Sequence, residues 1–130
     1  MKKYPFEWLD EYGLMVVLAE INEETTLRFL LDTGSSHTCL DKNALYIEEI
    51  SLRDAVGQVE IETANGLIRA DVYNIPSIEV LGIKLLNHPI QVIDFIEHGM
   101  LSDYSGVLGM DILGSKILCI HFEDGYLTFR

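Results

Sequence analysis

The chemistry in this chain starts at Asp32. Three large apolar residues precede it, Phe29-Leu30-Leu31, and Thr33-Gly34-Ser35-Ser36 follow. Such an apolar run predicts a strand heading into the core, and Gly34 with the hydroxyl residues predicts a tight turn at its end. A carboxylate delivered to that point is partly desolvated and ringed by N–H and O–H donors, conditions that shift a pKa and suit acid–base work. The bare tripeptide leaves a second reading open, a turn aspartate holding its own loop by Asx hydrogen bonds.

A second segment is Gly106-Val107-Leu108-Gly109-Met110-Asp111-Ile112-Leu113. Gly109 after two apolar residues predicts close approach of backbone to another group. Asp111 reads as the cap of a helical turn over 111–115. Other chemistries find little support. His37, His88, His98 and His121 are scattered without ligand spacing, so no metal site is expected. They read as ordinary surface or core histidines, with His37 near enough to the Asp32 motif to tune it. The elbow G-x-S-x-G of serine hydrolases is absent. Cys39 and Cys119 form no CxxC pair and read as buried, reduced thiols of a cytoplasmic protein, a bridge between them remaining open.

The elements that must hold these residues read as β throughout. Apolar runs at 14–21 and 25–31 flank the polar turn Asn22-Glu23-Glu24 and predict a hairpin, with Leu27, Phe29 and Leu31 on one face. A short strand is expected at 37–40, then a helical turn opened by Asp41. Residues 56–63 alternate, and Asn65-Gly66 is the strongest hairpin signal in the chain, a dipeptide that accepts positive φ at both central turn positions. The return strand is expected at 67–73. A smaller hairpin at 77–81 and 83–86 turns on Gly82, and a further strand spans 89–95. Residues 96–104 read as an irregular stretch with a helical turn. A short strand at 105–109 and a final hairpin at 117–122 and 126–130 complete the chain. Many short strands with only scraps of helix predict an all-β fold, a small closed β-barrel. With no linker and no repeat, residues 1–130 are expected to form a single domain. Tyr4, Phe6, Trp8 and Tyr12 make an N-terminal aromatic cluster, either barrel-end packing or a dimer contact.

Taken in order, these motifs make the chain resemble the retropepsin-like aspartic peptidases, particularly the small bacterial single-domain members. The resemblance rests on Leu30-Leu31-Asp32-Thr33-Gly34-Ser35-Ser36, on Glu62-Thr63-Ala64-Asn65-Gly66 in the place of the flap hairpin, and on Val107-Leu108-Gly109-Met110-Asp111. It implies a barrel of the acid protease type with a flap and one or two short helical turns. It also implies an aspartic endopeptidase with Asp32, Thr33 and Gly34 as catalytic motif. Ser35, Ala64, Asn65 and Gly66 would contact substrate, and Leu108 and Gly109 would support the active site. Neither a cofactor nor a metal is implied. Asp-Thr-Gly occurs once, whereas pepsin-like chains carry two such motifs, so a homodimer is implied with two Asp32 carboxylates sharing a proton. Thr33 would then bond across the axis, Gly34 would let substrate pass close, and Ser35 would donate to Asp32, which suggests an acidic optimum. The alternative is a non-catalytic dimerisation or peptide-binding module on the same fold. The termini are unlike those of viral members, whose dimer depends on paired terminal strands.

Composition narrows the partners. The chain has 130 residues, 48 % of them hydrophobic and 23 % charged, enough apolar material for one core. With 21 acids against 9 bases, the net charge of −12 disfavours nucleic acid and anionic membrane surfaces. Peptides or unfolded proteins remain the expected partners. Residues 1–7 lack the apolar stretch of a secretory signal, and no run is long enough to span a bilayer.

Overall fold

The computed structural model describes residues 1–9, 13–100 and 103–130. Its elements run β1 (Tyr4–Pro5), β2 (Glu7–Trp8), β3 (Met15–Ile21), β4 (Thr25–Leu31), β5 (Cys39–Asp41), α1 (Lys42–Ile47), β6 (Gly57–Thr63), β7 (Gly66–Val80), β8 (Ile83–Ile93), β9 (Gly106–Leu108), α2 (Met110–Leu113), β10 (Leu118–His121) and β11 (Tyr126–Phe129).

Six of these strands close on themselves. The β3–β4 hairpin pairs Val16 with Leu30 and Ala19 with Leu27. β4 then runs parallel to β9, with Leu31 opposite Leu108. The ring continues through β5, β8 and β7, and closes where Glu20 and Ile21 of β3 meet Glu79 and Ile78 of β7. Closure removes strand edges that would otherwise template aggregation. Met15, Val17, Ala19 and Ile21 of β3 turn inward with Leu27 and Phe29 of β4, Ile75 and Ile78 of β7 and Ile90 of β8. Each such side chain fully buried contributes roughly 1.5–3 kcal/mol relative to exposure. Gly106 is required at its place in β9, because a Cβ there would run into the Phe29 ring.

The ends of the chain form a second, three-stranded sheet in the order β1-β11-β10. Tyr4 and Phe6 pack on the main core, and Trp8 stacks on Phe122 with ring centroids 6.2 Å apart. Tyr4 and Phe6 of the aromatic cluster thus join the core, Trp8 stays about half exposed, and Tyr12 lies outside the described residues.

Several expectations need correction. The strands expected at 67–73 and 77–81 are one 15-residue strand, β7, and those at 83–86 and 89–95 are one 11-residue strand, β8. Pro76 lacks an N–H, so the ladder skips from Ile75↔His88 to Ser77↔Leu86, and Asn87 opposite takes φ +52°. The pair bends without ending, because the proline falls where one ladder bond can be spared. Cys119 is exposed on β10, not buried; Cys39 is buried, and both are free thiols. Asp111 lies within the first turn of α2, whose N-cap is Gly109, so it caps nothing. Asp41 does cap α1, accepting from the Asn43 N–H at 3.2 Å. Residues 95–99 form turns, and the remainder of the predicted irregular stretch includes positions 101 and 102, outside the described residues.

Candidate active site

β4 and β9 run side by side, and each ends in a loop of the site. The Asp32 N–H donates to Leu108 O at 3.1 Å, extending the parallel ladder by one residue. The chain then turns, with the Ser35 N–H donating to Asp32 O at 3.1 Å and the Gly34 N–H donating to Asp32 Oδ1 at 2.9 Å. This is the Asx turn foreseen as the alternative reading. It does not compete with chemistry, since the Gly34 N–H engages Oδ1 and leaves the other carboxylate oxygen open.

The second segment locks onto the back of this turn. The Met110 N–H donates to Ser35 O at 2.8 Å. A Cβ on Gly109 would stand 2.6 Å from the His37 carbonyl carbon and 2.9 Å from Ser35 O, so the close approach predicted for Gly109 is present. Ser35 differs from expectation: its hydroxyl donates to His37 O at 2.8 Å and leaves Asp32 to the Gly34 N–H. The argument for an acidic optimum from Ser35 falls with it. His37 is exposed, its Nδ1 2.8 Å from Ser36 Oγ.

Asp32 lines a cleft of about 560 Å³ with Ser35, His37, Cys39, Val107 and residues from the β6–β7 hairpin. Ile61, Ile68, Ile93 and Met100 make its walls largely apolar, and its acids are Asp32 and Glu97. Of the residues assigned to substrate contact, Ser35, Ala64 and Asn65 line the cleft and Gly66 does not. Thr33 and Gly34 face solvent. Leu108 is buried, and with Gly109 it supports the loop from behind. Burial pushes the Cys39 thiol up to about 12, the field of Asp32, Asp41 and Asp111 adding to it. A larger cavity of about 670 Å³ lies between α1 and the stem of the hairpin; it shares Ile93, Glu97 and His98 with the cleft but lacks Asp32.

The hairpin tip is built differently from the expectation. Thr63 pairs with Gly66, so the two central turn residues are Ala64 and Asn65. Gly66 opens the return strand at φ +110°, and Asn65 is not among the residues with positive φ. The Thr63 hydroxyl donates to Gly66 O at 2.8 Å and accepts the Asn65 N–H at 3.2 Å.

Two residues of the loop's support, Thr38 and His88, escaped the sequence, and Asp111 was read there only as a cap. Thr38 is fully buried. Its hydroxyl accepts the Gly109 N–H at 3.1 Å and donates to Asp111 Oδ1 at 2.7 Å. His88 Nε2 lies 2.9 Å from Asp111 Oδ2. These positions are far apart in sequence, and no local spacing marks them.

A family profile described as aspartyl protease matches residues 17–112, from β3 through Ile112 of α2. The chain belongs to the aspartyl protease family. The matched span includes both the Asp32 turn and the Leu108–Asp111 segment. Among solved structures, the chain is similar to a retropepsin-like aspartic protease from Rickettsia conorii. The TM-score is 0.67 and the identity 22 %, over 98 % of this chain and 88 % of the other. The likeness establishes the retropepsin-like fold. No curated protein matches the chain significantly in sequence. No helix among the described residues is long and apolar enough to cross a membrane.

Proposed function

We propose that the protein is an endopeptidase with Asp32 as its catalytic carboxylate, working as a homodimer in which each copy supplies half of the site. The observation that carries this reading is the placement of Asp32 in a largely apolar cleft with the flap residues Thr63, Ala64 and Asn65, on a turn held by Leu108 and Gly109. Asp-Thr-Gly occurs once in the chain, so a second Asp32 must come from a two-fold mate. The exposure of Thr33 and Gly34 leaves the turn open to that mate.

Two carboxylates brought close share one proton. The ionised one takes a proton from a bound water, whose oxygen bonds to the scissile carbonyl carbon while the protonated one donates to the carbonyl oxygen. The resulting diol then collapses, the C–N bond breaks, and a proton passes to the departing nitrogen. Thr33 bonds across the axis, and Gly34 admits the substrate backbone. The peptide lies extended beside Ser35, Ala64, Asn65 and Gly66, pairing with the flap, which closes over it and excludes water. We take residues 1–130 as one functional domain and, given free thiols at Cys39 and Cys119, the cytoplasm as its setting.

The deciding experiment compares Asp32→Asn with wild type on denatured protein from acid to neutral pH. Cleavage is expected from wild type alone; equal cleavage by both would sink the assignment. Sedimentation tests the pairing, and a strict monomer that keeps its activity would contradict the shared site.

A further inference from the structure

The turn that carries Asp32 is tied to the rest of the molecule at its back by a buried polar relay. The relay runs from the Gly109 N–H to the Thr38 hydroxyl, from that hydroxyl to Asp111, and from Asp111 to His88 on β8. Thr38 is fully buried, and the Asp111 and His88 side chains are 16 % and 17 % exposed. Polar groups so placed persist only when bonded, and here every link is made.

The direction of the relay follows from Asp111. As a carboxylate it can only accept. The Thr38 hydroxyl must therefore point its proton at Asp111 Oδ1, which turns a lone pair toward the Gly109 N–H. The same logic places the shared proton of the other link on His88 Nε2. With a neutral hydroxyl partner in place of Asp111, Thr38 would be free to rotate and the Gly109 N–H would lose a fixed acceptor.

Gly109 is the pivot between this relay and the catalytic turn. Its neighbours on either side bond that turn directly, Leu108 O accepting from the Asp32 N–H and the Met110 N–H donating to Ser35 O. We propose that Asp111 is a positioning residue for Asp32, acting through the Thr38 hydroxyl and anchored to the barrel wall by His88. The proposal rests on the catalytic reading of Asp32. Neither Thr38 nor His88 nor Asp111 lines the cleft, so none of them meets substrate.

The test combines turnover of a fluorogenic peptide, thermal unfolding and amide hydrogen exchange on the full chain. Thr38→Val is expected to lower kcat about tenfold or more with little change in KM, since a small misplacement of a catalytic group is costly. Thr38→Ser, which keeps the hydroxyl, is expected to restore it. Asp111→Leu should match Thr38→Val, and Asp111→Asn, which keeps an acceptor for Thr38, should retain most activity. Combining Thr38→Val with Asp111→Leu should be no worse than either alone, because both break one relay. A folded Thr38→Val with wild-type kcat would overturn the proposal. Should Thr38→Val not fold, equal losses in Asp111→Asn and Asp111→Leu would do so instead. Should wild type cleave nothing, the catalytic reading fails by itself, and amide exchange still decides the relay. Gly109 and Met110 amides should then exchange about tenfold faster in Thr38→Val while β3 and β4 amides hold, as expected for a local opening; unchanged rates would refute the relay.

Discussion

Replacing Gly109 by alanine adds one methyl group at the point where the two loops of the site touch. Gly109 has φ −103° and ψ −176°, ordinary extended backbone, so alanine meets no conformational penalty there. Its difficulty is space. The new Cβ would lie 2.6 Å from the His37 carbonyl carbon, 2.7 Å from His37 O and 2.9 Å from Ser35 O, where ordinary contact begins at 3.4 Å. All three are backbone atoms, so no side chain can swing aside. Relief requires the 35–37 backbone to retreat by about 0.8 Å, the difference between 3.4 and 2.6. That movement stretches Met110 N–H···Ser35 O from 2.8 Å and drags the turn that holds Asp32. Overpacking of this kind costs about 1–3 kcal/mol, and a displacement approaching 1 Å at a catalytic group costs about a hundredfold in rate. Gly109→Ala is therefore expected to stay folded, to unfold roughly 4–12 °C lower by calorimetry, and to lose about two orders of magnitude in kcat/KM on a peptide substrate. Wild-type turnover and an unchanged Tm would refute the close-approach reasoning.

Further outcomes follow from the same geometry. Cys39, its thiol pushed up to about 12 by burial, should resist a chromogenic thiol reagent that labels exposed Cys119 quickly; two fast thiols in the native protein would contradict the structure. Asp94 is held below the usual carboxylate range, first by the Asn43 amide donating at 2.8 Å. Because its folded pKa is depressed, its contribution to stability is present above the unfolded pKa and is lost as pH falls through the folded one. Asn43→Ala should accordingly flatten the acid limb of a stability–pH curve, and an unchanged limb would remove Asp94 from the account. Gly82 sits at φ +77° with the Tyr4 hydroxyl where a Cβ would go. Gly82→Ala should cost about 1 kcal/mol or more in urea unfolding, and adding Tyr4→Ala should not deepen the loss additively.

Local pattern made much of this molecule legible. The β3–β4 hairpin was readable because two apolar runs flank a polar turn, and the apolar run into Asp32-Thr33-Gly34 marked where a strand would release a carboxylate. Asp41 announced the start of α1, and Gly109 announced a close approach without saying to what. Less was legible where a local signal serves two geometries. The breaks expected at 74–76 and 87–88 do not occur, and β7 continues past Pro76 because the lost bond falls opposite the bend at Asn87. Asn65-Gly66 marked a turn, but Thr63 pairs with Gly66 and moves the turn back by one residue.

By itself, then, the sequence determined an all-β barrel, the carboxylate at its strand end and the β6–β7 hairpin, since periodicity and turn chemistry are set by near neighbours. Tertiary structure alone decided that β7 returns to β3 to close the ring, and that the Asp32 turn is backed by Leu108 to Asp111. It alone brought Thr38, His88 and Asp111 together. Thr38 and His88 are unremarkable in their own segments, the motif around Asp111 does not name its partners, and hydrogen bonds between distant positions leave no period in the chain. Their partners are chosen by the closed sheet, which sets β5, β8 and β9 side by side and brings their loops to one end.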